Sequence, residues 1–395
     1  MTTATQAPAT GAKGHIDPAA AFVPVQTRSE RATSFDPDDF GMPTGREVNW
    51  KHTPVDRLRS VLVDEPVDVD DALWIDVTAP ALYRLASQGH DAAVRGEVFR
   101  PEDLPSALAW KHAENARHIR IPADETADEP IRIDISGRGG HAFSHIVVEA
   151  MPHSRATVLL YHDGSAQYAQ NVEIIARDGS ALTVVTVQRW DDDAVHLASH
   201  QARVDRDASL THVVVSLGGG VVRVNPSVTL SGSGSSAKLY GLSFADAGQH
   251  LESQVYLHHE GPHTVGDVLY KGALQGASAR SVWIGDVLIG SDAVGTDSYE
   301  ANRNLVLTDG ARAESIPNLE IETGDILGAG HASATGRFDD EQLFYLQARG
   351  ITESEARRLV VLGFLGEIAQ KTGIPALEQE IVAAIEAELA LGEGA

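Results

Sequence analysis

The residue best suited to bind a metal ion is His331, which stands among small residues in the segment 328–334. Gly330 and Ala332 flank it directly, so a ligand or a metal ion could approach the imidazole without meeting a bulky side chain. Imidazole nitrogen is a common ligand of transition metals. A histidine that the backbone satisfies at the end of a strand would show the same pattern, so the residues alone leave both interpretations open.

A second histidine-rich segment runs from His258 to His263 and contains His259 and Glu260, which could also bind a metal ion. Consecutive residues on a strand point to opposite faces, so His258 and His259 could not both bind one ion without a bulge. The pattern therefore favours a polar strand edge at a turn over a metal site. On that interpretation, replacing His259 by alanine should be almost silent.

Three other segments contain residue types that are used in catalysis or ligand binding. His196 and His200 would pair on a helix, but their surroundings predict a strand, where this spacing places them about 13 Å apart and disfavours zinc. The carboxylates 191–193 could act as acid and base in a polysaccharide-cleaving enzyme, although a charged turn is the simpler interpretation. The glycines 218–220 lack the lysine and the strand-to-helix setting of a phosphate loop, which predicts a tight turn.

Composition and charge limit the classes of function. The 395 residues include no cysteine, so the chain has no thiolate to carry sulfur. The formal net charge of −25 argues against nucleic-acid partners and against anionic membrane surfaces. No apolar run approaches the roughly 18 residues of a membrane span, and residues 1–14 lack the apolar region of a signal peptide. We therefore expect a cytoplasmic protein.

The composition and the residue patterns of the sequence divide it into four regions. Residues 1–35 are rich in Ala, Thr and Pro and predict a flexible arm. Residues 36–125 predict a mostly helical domain, with a helix that opens near Pro101. Residues 126–337 consist of short β-branched runs between Gly, Asp, Ser and Asn turns, and residues 338–395 return to helical patterns.

The strand-rich region contains a loose repeat of a polar turn, a small residue and an aliphatic residue. The aliphatic residues that close this unit lie 24, 28 and 29 positions apart, at Val158, Leu182, Leu210 and Leu239. A turn-plus-strand unit of this length favours a solenoid, in which each turn buries its apolar face on the next. A β-sandwich, the alternative, more often shows turns every 8 to 12 residues or so.

The C-terminal region predicts three helices with defined ends. Asp339 or Asp340 can cap the first helix, which Gly350 ends, and Thr352 opens the second helix, which stops at Gly373. Apolar residues recur at helical spacing along the last two helices, and such a stripe either joins the core or docks a partner. The candidate docking residues are Leu359, Phe364, Ile381 and Ile385.

Several motifs, in order along the chain, resemble the SufB/SufD family of iron–sulfur cluster assembly proteins. The similarity is densest from about Asp286 to Gly373 and is weaker back to Trp50. Its strongest elements are Gly295-Thr296-Asp297, Asn304-Leu305, Ile316-Pro317-Asn318-Leu319-Glu320-Ile321, and His331 with the helix and Gly350 that follow it. The absence of cysteine makes the chain similar to the SufD-like members, which do not carry sulfur.

The resemblance implies a mainly β fold: a right-handed parallel β-helix core flanked by N-terminal and C-terminal helical domains. It implies a non-catalytic scaffold that forms a heterodimer with a SufB-like paralogue and binds a SufC-like ABC-type ATPase. The apolar stripe leads us to expect that the ATPase docks on the C-terminal helical domain. A transient iron–sulfur cluster would form at the interface with the paralogue, and His331 matches the family's candidate cluster ligand. A reduced flavin is implied by the resemblance alone.

The chain departs from the family pattern at three positions around this histidine. Ala311 aligns with the essential cysteine of SufB-like members, Ala329 with a cysteine that many SufD-like members carry, and Ala332 with a glutamate of SufB-like members. No sulfur acceptor remains, so a cluster would need ligands from a partner. Two alternatives from other classes are a β-helix polysaccharide lyase or hydrolase and a purely structural β-helix protein.

Overall fold

A computed structural model describes residues 28, 31–67, 69–79, 84–89, 92–337 and 340–392. Most of the predicted N-terminal arm, and Asp339 as a candidate helix cap, therefore lie outside the described residues. No helix in the described part is both long enough and apolar enough to cross a membrane.

The N-terminal region differs from the mostly helical domain predicted for residues 36–125. Its α-helices are α1 (Val69–Ala72) and α2 (Leu104–His112), and its 3-10 helices are Pro37–Asp39, Val48–Trp50 and Val55–Arg57. Three strands lie among them, namely β1 (Leu73–Thr78), β2 (Arg84–Gln88) and β3 (Ala116–Ile121). The prediction was wrong here because these short strands are stabilised by the sheet that they join, not by a local pattern.

The predicted helix near Pro101 is confirmed as α2 and begins with a capping box. The Asp103 side chain accepts a hydrogen bond from the Ser106 backbone N–H at 3.1 Å, and the Asp103 backbone N–H donates to Ser106 Oγ at 3.3 Å. These bonds satisfy donors at a helix terminus that would otherwise lack partners. The helix packs against β4 and β5 and covers one outer face of the sheet.

The main body is a parallel β-solenoid, which confirms the predicted β-helix core and excludes the sandwich. Two columns of parallel strands diverge from the long strand β5, which pairs with both β6 and β7. Beyond β5, each strand pairs with the next but one along the chain. One column runs β5-β7-β9-β11-β13-β15 and the other β5-β6-β8-β10-β12-β14-β16. The strands are β4 (Ile131–Ala150), β5 (Arg155–Ala176), β6 (Ala181–Trp190), β7 (Val195–Val204), β8 (Ser209–Ser216), β9 (Val221–Leu230), β10 (Ser236–Ala245), β11 (His250–His259), β12 (Val265–Leu274), β13 (Arg280–Ile289), β14 (Thr296–Val306), β15 (Arg312–Ile321) and β16 (Ile326–Arg337).

The interior of the solenoid is built from residues that stack in register. Val158, Val184, His212, Leu239 and Val268 are successive partners across β5, β6, β8, β10 and β12, and all are buried. Stacked strands lie about 4.8 Å apart, so each of these side chains covers the one before it. The repeat in the sequence reflects this stacking, since its closing aliphatic residues Val158 and Leu239 belong to the stack.

Three helices follow the solenoid, of which the second and third cover one of its outer faces and the first contacts the second. They are α3 (Asp340–Gln347), α4 (Glu353–Lys371) and α5 (Pro375–Gly392). Thr352 caps α4 as predicted, since its side chain accepts a hydrogen bond from the Glu355 backbone N–H. The apolar faces of α4 and α5 form one buried cluster with strand residues that include Val185, Val213 and Leu242. Lys271 Nζ also donates to the Phe364 carbonyl at 2.9 Å, which ties α4 to β12.

Candidate functional site

His331 lies on β16, the last strand of its column, and its side chain is exposed. Its partner on β14 is Glu300, and paired residues on parallel strands point to the same face of the sheet. Glu300 faces the interior, as every second residue of β14 does. His331 therefore extends an interior stack, and it is exposed because β16 ends the column.

The residues around His331 leave its ring accessible. Gly328 and Gly330 precede it and have no side chains that could cover the ring. The Tyr299 ring lies beside Gly330, where an added Cβ atom would come within 3.3 Å of it. Tyr299 is itself exposed, as are Leu327 and Ile321 on the last two strands. The open end of the solenoid thus presents an imidazole together with exposed apolar side chains.

Glu300 is a buried acid that the sequence reasoning did not identify. Its side chain is 2% exposed, and neither carboxyl oxygen has a hydrogen-bond partner in the part of the chain that the structure describes. Burial, followed by the nearby charge of Asp286, raises the pKa of Glu300 to about 8. The signal that could have revealed it is the alternation Thr296, Ser298, Glu300, Asn302, Asn304, which places an acid on an inward position.

The three alanines that stand where the family resemblance leads us to expect other residues lie at the same end of the solenoid. Ala329 faces inward two residues before His331 and packs partly against the core, as does Ala311. Ala332 is exposed beside His331. Among the residues that the structure covers, no group of three or more His, Asp or Glu side chains is placed to hold a metal ion.

His259 is a buried structural residue in this fold. Its ring Nδ1 lies 2.8 Å from Thr264 Oγ1 and its Nε2 lies 2.9 Å from Ser298 Oγ, so both ring nitrogens have hydroxyl partners. Burial, followed by the neighbouring His258, lowers the pKa of His259 to about 3. His259 therefore points into the solenoid and does not lie at a polar strand edge, and the effect of replacing it stays a prediction.

We predict that replacing His259 by alanine lowers the free energy of unfolding by about 2–4 kcal/mol. The substitution leaves a cavity and removes hydrogen bonds from two buried hydroxyls. Denaturant unfolding of both proteins checks this value, with His258→Ala as the control, since His258 faces the other side of the strand. Equal midpoints for the wild-type protein and the His259 variant would show that the interior tolerates the loss.

The other candidate residues lie either in the interior of the solenoid or in the connections between its strands. His196 and His200 are buried in the interior, where His196 Nδ1 accepts from Trp190 Nε1 at 3.1 Å and His200 Nδ1 lies 3.0 Å from His212 Nε2. The carboxylates 191–193 lie exposed in the turn between β6 and β7, and the glycines 218–220 lie between β8 and β9. The interpretation of residues 191–193 as a charged turn is confirmed, whereas residues 218–220 form a short connection with a bend at Gly220.

The buried histidines should make the protein sensitive to acid. Burial lowers the pKa of His162 and of His212 to about 4, because an imidazolium would lose its hydration in the interior. Above about pH 6.5 these groups are neutral in both the folded and the unfolded chain. Below it, the unfolded chain binds protons that the folded chain does not, so stability falls as the pH falls toward about 4. Glu300 acts in the opposite direction because its pKa is raised in the folded state. Its contribution to the stability of the protein is lost as the pH rises from about 4.5 to 8.

We predict that the free energy of unfolding drops by about 2 kcal/mol between pH 6.5 and 5.5. His162, His212 and His259 each contribute about 1 kcal/mol over this interval, because an unfolded imidazole is about half protonated at pH 6.5, and Glu300 offsets about one of these contributions. Denaturant titrations at these pH values measure the difference. A His212→Leu variant, which matches its apolar stack neighbours, should lose about one histidine's share of the slope. A flat profile across this interval would contradict the assignment of neutral buried histidines.

The candidate docking residues divide between the surface and the core. Ile381 and Ile385 on α5 are buried against the solenoid, and Phe364 packs partly against the same cluster. Leu359 on α4 is 45% exposed. Phe344 and Tyr345 on the adjacent helix α3, which were not among the candidate docking residues, are exposed as well. We call Phe344, Tyr345 and Leu359 the C-terminal apolar surface.

Comparison with known proteins gives consistent matches. Residues 133–364, more than half of the chain, match the family model described as "SUF system FeS cluster assembly, SufBD core domain". The chain is 48% identical over 375 residues to the iron-sulfur cluster assembly SufBD family protein Mb1497 of Mycobacterium bovis, which covers 93% of this chain and 94% of the relative. It is 24% identical over 383 residues to the iron-sulfur cluster assembly protein SufD of Escherichia coli, with 87% and 89% coverage. It is also 28% identical over 306 residues to a second M. bovis SufBD family protein, Mb1496, covering 76% of this chain but 35% of that relative.

Proposed function

The chain belongs to the SufBD family of iron–sulfur cluster assembly proteins, and on that premise we propose that it acts as a SufD-like, non-catalytic scaffold subunit in the cytoplasm. It forms a heterodimer with a SufB-like paralogue and binds a SufC-like ABC-type ATPase. The nascent cluster is the cargo of this complex and forms at the interface between the two paralogues. That M. bovis has two SufBD family proteins similar to this chain supports a pair of paralogues.

The observation that carries the proposal is the position of His331 at the open end of the solenoid. The imidazole is exposed between small residues, and exposed apolar side chains such as Leu327 lie on the same strand. An interface needs apolar contact area, and a cluster at that interface needs ligands that reach across it. His331 supplies one nitrogen ligand in this arrangement, and the partner supplies the thiolates, since this chain has no cysteine.

The chain's own residues have three tasks in this proposal. His331 presents a ring nitrogen to iron, the end of the solenoid holds the SufB-like partner, and the C-terminal apolar surface binds the ATPase. Nucleotide hydrolysis belongs to the ATPase. We assign no residue of this chain to the binding of the reduced flavin that the family resemblance implies.

Affinity purification of the tagged chain from its native cytoplasm, with the bound proteins identified by mass spectrometry, tests this function. We expect a SufB-like protein and a SufC-like ATPase to copurify in defined ratio. A control with the tag alone removes proteins that bind the resin. Purification of the chain without either partner, under conditions where both are present in the extract, would contradict the scaffold function.

A further inference from the structure

We propose that Glu300 is the positioning residue of His331: when His331 binds iron, a carboxyl oxygen of Glu300 accepts the hydrogen bond from the imidazole N–H that faces away from the metal. This inference rests on the proposed function and concerns a residue to which the family comparison assigns no role.

The first support is register. Glu300 and His331 are direct partners on β14 and β16 and point to the same face. Parallel neighbours lie about 4.8 Å apart, which brings a glutamate side chain within reach of the ring above it. The same stack continues below Glu300 through Val268 and Leu239, which are apolar. Glu300 is thus the polar residue directly beneath His331 in an apolar stack.

The second support is the free hydrogen-bonding capacity of Glu300. Both carboxyl oxygens are buried, and neither has a partner within the described ranges. Buried polar atoms without partners are uncommon and cost stability, so a retained one calls for an explanation. His331 is exposed at the end of the same stack, and its N–H would provide the missing partner.

The third support is the space around the carboxyl group. Its Oε2 atom lies so close to the position of a Cβ atom at Gly285 that a side chain there would clash with it, so the glycine on β13 makes room for the carboxyl group. The six-membered ring of Trp283 borders the same space. This pocket keeps the acid away from water until the ring above it offers a donor.

The chemistry of histidine ligands explains why such a partner is useful. A histidine that binds a metal through one ring nitrogen usually donates its other N–H to a carboxylate, a carbonyl or water, and this bond fixes the tautomer and the orientation of the ring. A carboxyl group has an oxygen lone pair to accept that bond whether it is ionised or protonated. His331 has small neighbours that cannot orient it, so Glu300 supplies the orientation.

Ferrous-ion affinity of the assembled complex tests the inference. Anaerobic equilibrium dialysis with Fe²⁺ alone should show binding about 10- to 100-fold weaker for Glu300→Leu, which cannot accept a hydrogen bond. Glu300→Gln keeps an acceptor oxygen and should stay within about threefold of the wild-type complex, a rescue that a packing role would not produce. Glu320→Gln, an exposed acid on β15, is the matched control and should have no effect. Denaturant unfolding of each variant confirms that the solenoid is intact.

The outcomes separate this inference from the function on which it rests. Wild-type Fe²⁺ affinity in Glu300→Leu, combined with lost affinity in His331→Ala, would overturn the positioning role and leave the ligand role in place. An equal loss in Glu300→Gln and Glu300→Leu would overturn the hydrogen-bond argument. Wild-type affinity in His331→Ala would overturn both the ligand role and the positioning role.

Discussion

Replacing His331 by alanine should reduce cluster formation on the assembled complex by at least about tenfold while leaving the fold and the partners in place. The imidazole is exposed on the last strand of its column, so its loss removes little packing. No cysteine on the chain can substitute as a ligand. Cluster formation is measured under anaerobic conditions by absorbance and by iron counting.

The control for this variant is Ser333→Ala, which alters an exposed residue two positions further along the same strand. It should assemble clusters at the wild-type level, and size-exclusion chromatography should show the same complex for both variants. Normal cluster formation with His331→Ala, in cells that depend on this pathway, would mean that the histidine is structural and that the ligands lie elsewhere.

Introducing a charge into the C-terminal apolar surface should weaken ATPase binding by about tenfold or more. In Leu359→Glu a carboxylate would be buried against the partner, and a buried unpaired charge is costly. Phe344→Ser removes an exposed aromatic side chain of the kind that dominates interfaces and should act in the same direction. Binding of the SufB-like partner, at the other surface, should be unchanged.

Isothermal titration of the ATPase into each variant measures this effect. Gln370→Glu is the matched control, because it adds the same charge at an exposed position on the same helix. Wild-type affinity for the ATPase in both Leu359→Glu and Phe344→Ser would show that the ATPase binds to another surface. Point variants are preferable to removing residues 352–395, since that deletion would expose strand residues such as Val185 and Val213 that α4 and α5 bury.

The solenoid could be predicted from the sequence because its turns and closing aliphatic residues recur locally. The strands of the N-terminal region could not, since β1 is stabilised by antiparallel pairing with β4 and β2 by pairing with β3. A segment such as 73–78 is too short for its own alternation to outweigh the helical patterns around it. The pairing that decides its structure is tertiary.

The candidate site was predictable only in part for a similar reason. His331 is conspicuous because its neighbours are small and because the motif resembles a family signature. The inward direction of His259 and Glu300 depends on strand register, which a one-residue shift would reverse. The helix stripe was ambiguous in the same way: Ile381 and Ile385 face the solenoid, whereas Leu359 on the neighbouring helix faces solvent.

The most direct test of the scaffold function is anaerobic cluster assembly with and without this chain. Ferrous iron and sulfide are supplied to the chain alone, to the SufB-like partner with the ATPase, and to all three proteins together, and iron and sulfide are counted after desalting. We predict a stable cluster at full occupancy on the three-protein complex and none on the isolated chain. A stable cluster on the isolated chain, or equal assembly by the partners without it, would contradict the proposed function.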